Sequence, residues 1–185
     1  MLRTVTTPVD LSADALDDLK GWLGISRPNE DSQLTDLLGA SLAMCEAFTG
    51  QTPVEQDIEE SVPATIGRHQ LSTRPARSVV SVQAIAPNGM RTLMSADAYE
   101  TQIDASGRLC IHISWLPAGL PDKESVVVTL RAGIATDWAT LPGPLKQGII
   151  RLAAFHYRDR ETGRDATPPV SVTALWRPWR VLRLA

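Results

Sequence analysis

The chain has 185 residues, 43% of them hydrophobic and 21% charged, with a formal net charge of −3. That length fits one domain carrying a grafted sub-domain, and that composition excludes wholesale disorder. No apolar run is long enough to span a bilayer, and the opening MLRTVTTPVDLSADALDDL lacks the basic-then-apolar layout of a secretory signal, so a cytoplasmic chain with no membrane partner is expected.

The first predicted element is a helix, SADALDDLKGWLGI. Ser12 is its N-cap, Asp14, Asp17 and Asp18 suit its positive end, and Ala15, Leu16, Leu19 and Leu23 form one apolar stripe. SRPNED interrupts it. A second helix carries Leu34, Leu37, Leu38, Leu42, Cys45 and Phe48 on one face, with Gly50 as its C-terminal stop. Two amphipathic helices joined by a short polar link predict a helical hairpin over residues 1–51.

From about Thr52 the period changes to two. SVVSVQAIA reads as a strand, Pro87-Asn88-Gly89 as a tight turn and MRTLMS as the return strand. RLCIHIS alternates, with Leu109, Ile111 and Ile113 on one side and Arg108, Cys110, His112 and Ser114 on the other. SVVVTLRAG repeats this with Val126, Val128 and Leu130 inward. A small antiparallel sheet or barrel over 52–138 follows.

Helical spacing returns after LPGP. Pro144 suits the first turn, and Leu145, Ile149, Leu152, Ala153 and His156 mark the buried stripe of a third helix within 139–164. RDATPP is a linker. In 165–185 a short helix, PVSVTALW, is expected to end at Pro178, whose ring disfavours a helical Arg177. The order of elements predicts an α+β fold, a helical frame with an inserted small antiparallel β-module.

Chemistry is sparse. The sequence has no Gly-rich phosphate loop, no nucleophile elbow and no H-E-x-x-H, so no catalytic or cofactor-binding residues are assigned. Cys110 and His112 share a strand face, but two ligands do not make a metal site. Cys45 and Cys110 read as reduced core thiols and His156 as a core histidine. Glu59 and Glu60 fall on opposite faces of an extended segment, which reads as a solvated charge run. DASG at 104–107 is a turn.

The ending WRPWRVLRLA is the strongest signal. Trp176, Trp179, Val181, Leu182 and Leu184 are too much apolar surface to leave bare, and Trp and Arg are enriched among interface hot spots. The segment either closes the chain's own core, enters a partner, or contacts nucleic acid. Charge bears on the last of these: residues 1–60 carry 3 basic and 12 acidic side chains, residues 61–185 carry 15 and 9, and Arg177, Arg180 and Arg183 follow the last acid, Asp165. The same asymmetry suits like subunits meeting acidic face to basic face. If the tail enters a partner, deleting 176–185 should leave a folded subunit.

Three segments resemble the head–tail connector (adaptor) family of tailed phages, prophages and gene transfer agents. LKGWLGI followed by LLGASLAMCEAFTG, with Glu46, Thr49 and Gly50, resembles its N-terminal hairpin. LPGPLKQGIIRLAAFHYRDRE, with Tyr157, Arg160 and Glu161, is similar to its third helix, and PPVSVTALWRPWRVLRL to its closing segment, although Trp179 stands where Tyr is commoner. The resemblance implies a non-enzymatic virion-assembly protein without cofactors or metal. It would form a ring of about twelve subunits in the particle neck, a closed cyclic oligomer. It would bind the portal protein through Trp176, Arg177, Pro178, Trp179, Arg180, Val181, Leu182, Arg183 and Leu184, and a stopper or tail-completion protein on its other face. DNA would pass through the channel without sequence-specific binding. The alternative is a nucleic-acid-binding module that uses the basic C-terminal half.

Overall fold

A computed structural model describes residues 2–7, 11, 13–117, 125–159 and 167–181. The fold is α+β, as expected. The chain divides into two compact units, a β unit of residues 1–8 and 55–133 and a helical unit of residues 9–54 and 134–185.

The helical unit contains α1 (Ala13–Leu23), α2 (Asp31–Thr49), α3 (Gly143–Asp159) and α4 (Val170–Trp176), with a 3-10 turn (Pro28–Glu30) leading into α2. The proposed cap Ser12 lies outside the described residues. The predicted stripes are the buried ones: Ala15 and Leu19 on α1, Leu34, Leu38, Leu42 and Cys45 on α2, and Leu145, Ile149, Leu152 and Ala153 on α3. Together they form one apolar core, with Leu37 and Phe48 half-buried at its margin. His156 departs from expectation. It is half-buried and its ring meets Phe155 edge-on at 5.7 Å, at the margin of the stripe and not inside it.

Trp138, expected in the β-module, belongs to the helical core. It is 2% exposed, its indole N–H donates to Asp18 (2.9 Å) and the Lys146 ammonium lies 5.5 Å from its ring. Cys45 is sealed in the same core. Burial, and secondarily the Glu46 charge, pushes its thiol up to about 12. Because the thiolate is the reactive form, Cys45 is expected to ignore a thiol-titrating reagent at mildly alkaline pH until denaturant is added. Prompt labelling of Cys45 in a native Cys110→Ser variant would contradict this burial.

The β unit holds eight strands among the described residues: β1 (Arg3–Thr7), β2 (Gln56–Pro63), β3 (Gly67–Gln70), β4 (Ala76–Ile85), β5 (Arg91–Leu93), β6 (Tyr99–Ile103), β7 (Leu109–Ile113) and β8 (Ser125–Ala132). Two antiparallel sheets form, one ordered β1-β2-β8-β4-β5 and one ordered β3-β7-β6. Their inward residues share one cluster that includes Ile58, Val62, Val82, Leu109, Ile111, Ile113, Val126, Val128 and Leu130. Pro87 and Asn88 turn β4 into β5, and Gly89 (φ 81°) supplies the left-handed position that closes the hairpin.

Two sequence expectations need correction here. Residues 3–7 are not part of the helical hairpin; they pair with β2, Arg3 opposite Glu60 and Val5 opposite Ile58. Glu59 and Glu60 do point to opposite faces, but they are not a solvated pair. Glu60 is completely buried, and its two carboxylate oxygens accept the backbone N–H groups of Ser72 (2.7 Å) and Thr73 (3.0 Å). An inward carboxylate on a half-buried strand is tolerated because backbone donors replace the lost water.

Glu59, on the outer face, receives both Arg91 terminal nitrogens (2.6 and 2.9 Å). The hydrogen bond from Arg91 is the main reason its carboxyl titrates below the ordinary value. A depressed folded-state value stabilises above the unfolded value and loses that contribution as pH falls through the folded one. With Arg91 46% exposed, the pair contributes only about 0.2–1 kcal/mol. Arg91→Ala is therefore expected to lower urea stability slightly at neutral pH and not at all once carboxylates are protonated. An equal loss at both pH values would assign the effect to something other than charge.

Candidate interaction surface

The C-terminal segment is positioned by the end of α2. Gly50 (φ 71°) takes the left-handed cap and donates to the Glu46 carbonyl (2.8 Å), which turns the chain away and leaves carbonyls of the last turn to be satisfied elsewhere. The tail satisfies one of them, since the Val181 N–H donates to the Thr49 carbonyl (2.8 Å). Gln51 Nε2 then donates to the Trp179 carbonyl (2.6 Å), and the Arg180 guanidinium lies 5.5 Å from the Phe48 ring. Thr49 is buried with its hydroxyl on the Cys45 carbonyl (2.8 Å), and Glu46 accepts the Thr52 hydroxyl (3.1 Å). The Glu46, Thr49 and Gly50 motif thus builds the dock on which the chain's own tail rests.

Trp176, expected among the partner-binding residues, is buried inside the subunit. It is 0% exposed, its indole N–H points to the Leu145 carbonyl (3.4 Å) and its ring lies 5.9 Å from Phe48. A Cβ added at Gly148 would fall within this ring, so the glycine makes the slot the tryptophan fills. α4 ends at Trp176, before Pro178 as expected, but the expectation that the proline keeps Arg177 out of the helical region is corrected. Arg177 is αR (φ −54°, ψ −41°), and Arg177–Trp179 form one 3-10 turn before Arg180 becomes extended. Pro178 is accommodated because its missing N–H falls in the first turn of that element.

Arg177, Pro178 and Arg180 are exposed, and Trp179 and Val181 are half-buried. Leu182, Arg183 and Leu184 lie outside the described residues, as do Arg160 and Glu161. Tyr157 donates its hydroxyl to Glu30 (2.7 Å), linking α3 to the turn before α2.

The exposed tryptophan of the helical unit is Trp22, at 45%. It forms one wall of a groove of about 550 Å³ whose other walls come from α3 (Arg151, Phe155, Arg158, Asp159) and from Pro169 and Val172 at the start of α4. The Arg151 guanidinium lies 5.5 Å from the Trp22 ring, and the neighbouring Val170 is 79% exposed. Sequence reasoning missed this site. Trp22 sits at helical spacing from Ala15 and Leu19, and only the end of α1 at Leu23 leaves its ring overhanging solvent.

Cys110 and His112 sit with Arg68, Glu100 and Gln102 around a smaller hollow on the three-stranded sheet. Cys110 Sγ accepts from the Arg68 guanidinium (3.4 Å). Among the described residues no three His, Cys, Asp or Glu side chains converge as a metal would need. His69 bonds locally, to the Thr65 carbonyl (2.8 Å), and Asp104 closes the DASG turn by accepting from Ser106 and Arg108.

Several arginines of the β unit already serve acidic neighbours: Arg91 on Glu59, Arg131 on Asp57 (3.0 Å) and Glu55 (3.6 Å), and Arg77 on Glu55 (3.5 Å). Of the aromatics in or beside the sheets that could stack on nucleic-acid bases, Trp115 is exposed and Tyr99 packs half-buried on the β core. No helix among the described residues is long and apolar enough to cross a membrane.

No known protein family and no curated protein matches the chain. Solved structures do. A chain in the neck of an empty gene transfer agent particle, computed with C6 symmetry, superposes with a TM-score of 0.80 at 24% identity, covering 100% of this chain and 98% of that one. A chain of the virion of a native gene transfer agent particle gives 0.79 at 25% identity, and one from the neck of the native particle computed with C12 symmetry gives 0.78 at 25%, with the same coverage. The likeness embraces both the helical and the β units from end to end.

Proposed function

We propose that the chain is a non-enzymatic structural component of the neck of a phage-like particle, phage or gene transfer agent, and acts as the head–tail adaptor. Copies assemble head to tail into a ring of about twelve, the closed cyclic arrangement that a heterologous contact generates. The ring joins the portal to the stopper or tail-completion protein and surrounds the path of DNA. Subunits are made in the cytoplasm and end in the particle neck. The observation that carries this reading is the full-length match to neck chains, with neither chain leaving a domain unaccounted for.

Within it, the portal contact falls to the exposed Arg177, Pro178 and Arg180 and the half-buried Trp179 and Val181, together with Leu182, Arg183 and Leu184, which lie outside the described residues. The three arginines of this set suit an acidic or carbonyl-rich portal surface, since guanidinium groups give directional hydrogen bonds there.

The test is co-expression with portal-bearing capsids, followed by imaging of the portal vertex. A ring of this chain directly beneath the portal is expected. Capsids that retain their portal but never acquire the chain, at any expression level, would end the proposal. The nucleic-acid alternative predicts duplex binding that weakens steeply with salt. With the β-unit arginines engaged as described, no such salt-dependent binding is expected in a mobility-shift titration.

A further inference from the structure

Beyond Asp36, every exposed position of α2 is an alanine. Its inner face carries Leu34, Leu38, Leu42 and Cys45, while its exposed face runs Asp36, Ala40, Ala43, Ala47, at spacings of four, three and four residues. A solvent-facing helix normally carries charged and polar residues there, and one that is apolar on every side is buried. At 1.5 Å per residue the stripe is about 16 Å long, and its small side chains let another surface approach the backbone closely. The groove beside Trp22 has a different character: aromatic and proline walls and two guanidinium groups, Arg151 and Arg158, against one carboxylate, Asp159, with the nearly bare Val170 beside it.

We infer that these two surfaces are the two halves of the subunit–subunit contact, so that the groove at Trp22, Arg151 and Arg158 receives the Asp36–Ala40–Ala43–Ala47 face of α2 from a second copy. The inference rests on the ring reading, which requires two different and mutually complementary patches on one chain. Shape and charge agree. A ridge of alanines presents little bulk to an aromatic-walled cleft, and the Asp36 carboxylate at one end of the ridge meets a groove whose two guanidinium groups outnumber its one carboxylate, Asp159. Trp22 supplies the kind of central, half-exposed aromatic that dominates interface energetics, with Arg151 already stacked on it.

The experiment uses particles assembled with variant chains, counting copies per neck by quantitative mass spectrometry against wild type. Ala43→Arg lies on an exposed helix position, so the free subunit should melt as wild type does. In necks it should fall by about tenfold or more, since like charges brought together at an interface cost several kcal/mol. Adding Arg151→Glu and Arg158→Glu to the same chain should restore incorporation, because every contact in a head-to-tail ring then sets the new arginine against the new carboxylates. Full incorporation of Ala43→Arg would overturn the inference at the helix. Loss without restoration would overturn it at the groove. Necks that lack even the wild-type chain would instead overturn the ring reading itself.

Discussion

Deleting residues 176–185 is expected to unfold the helical unit. The main cause is the loss of Trp176. Its ring fills the slot above Gly148 and packs on Phe48 with no exposed surface, so removing it opens a large cavity in the core shared by α2, α3 and α4. Truncation of a buried tryptophan to alanine costs about 3–5 kcal/mol, a large part of the roughly 5–15 kcal/mol that stabilises an ordinary domain. The point variant Trp176→Ala, followed by urea denaturation and by helical circular dichroism, separates this effect from loss of the tail's backbone bonds to Thr49 and Gln51. Gly148→Ala approaches the same slot from the other side. A Cβ there overlaps the indole, and overpacking of this kind costs about 1–3 kcal/mol. A native-like melt for Trp176→Ala would show that the last turn of α4 is dispensable to the core and would return Trp176 to the list of partner anchors.

Glu60→Ala is expected to destabilise the protein by about 1–3 kcal/mol, because it leaves the buried Thr73 N–H without an acceptor and removes the partner of the partly buried Ser72 N–H. The segment those donors belong to leads from β3 towards β4, so the loss should appear as early exchange of the Ser72 and Thr73 amides in hydrogen-exchange experiments. Glu60→Gln keeps one acceptor oxygen but turns an NH₂ group toward the other N–H, and should recover only part of the loss. If Glu60→Ala lies within about 0.5 kcal/mol of wild type, the range of an unremarkable surface substitution, the two short hydrogen bonds contribute nothing net. The neighbouring Glu59 makes the contrast. It is as acidic and as close in sequence, yet its partner is a half-exposed arginine, and its contribution is smaller for that reason.

The legible parts of the fold are those where one periodic face meets one core. The stripes on α1, α2 and α3 could be read because each helix buries a single side, and β7 and β8 because Leu109, Ile111 and Ile113, and Val126, Val128 and Leu130, alternate without interruption. β2 escaped notice because its inward row is Ile58, Glu60, Val62, and a charged residue in the middle of that row disguises the alternation. β3 and β6 escaped for another reason. Both are edge strands of the small sheet, with no side chain fully buried, and an edge needs only one neighbour's backbone and no apolar face. β1 is likewise a strand only because β2 is there to pair with it.

The candidate surfaces divide in the same way. Composition alone required the tail's tryptophans to be covered by something, and Gly50 and the residues before it marked where α2 stops. Which tryptophan is covered by the chain itself and which is left to a partner could not be decided from spacing, since Trp22 and Trp176 both sit at helical intervals from core residues. The packing of α4 across Gly148 buries Trp176, and the end of α1 one residue after Trp22 leaves the other ring uncovered. Periodicity thus determined which faces are apolar, because side-chain direction repeats along a regular backbone. Tertiary structure decided which of those faces meet within one subunit, because that depends on where each helix ends and on which glycine makes room.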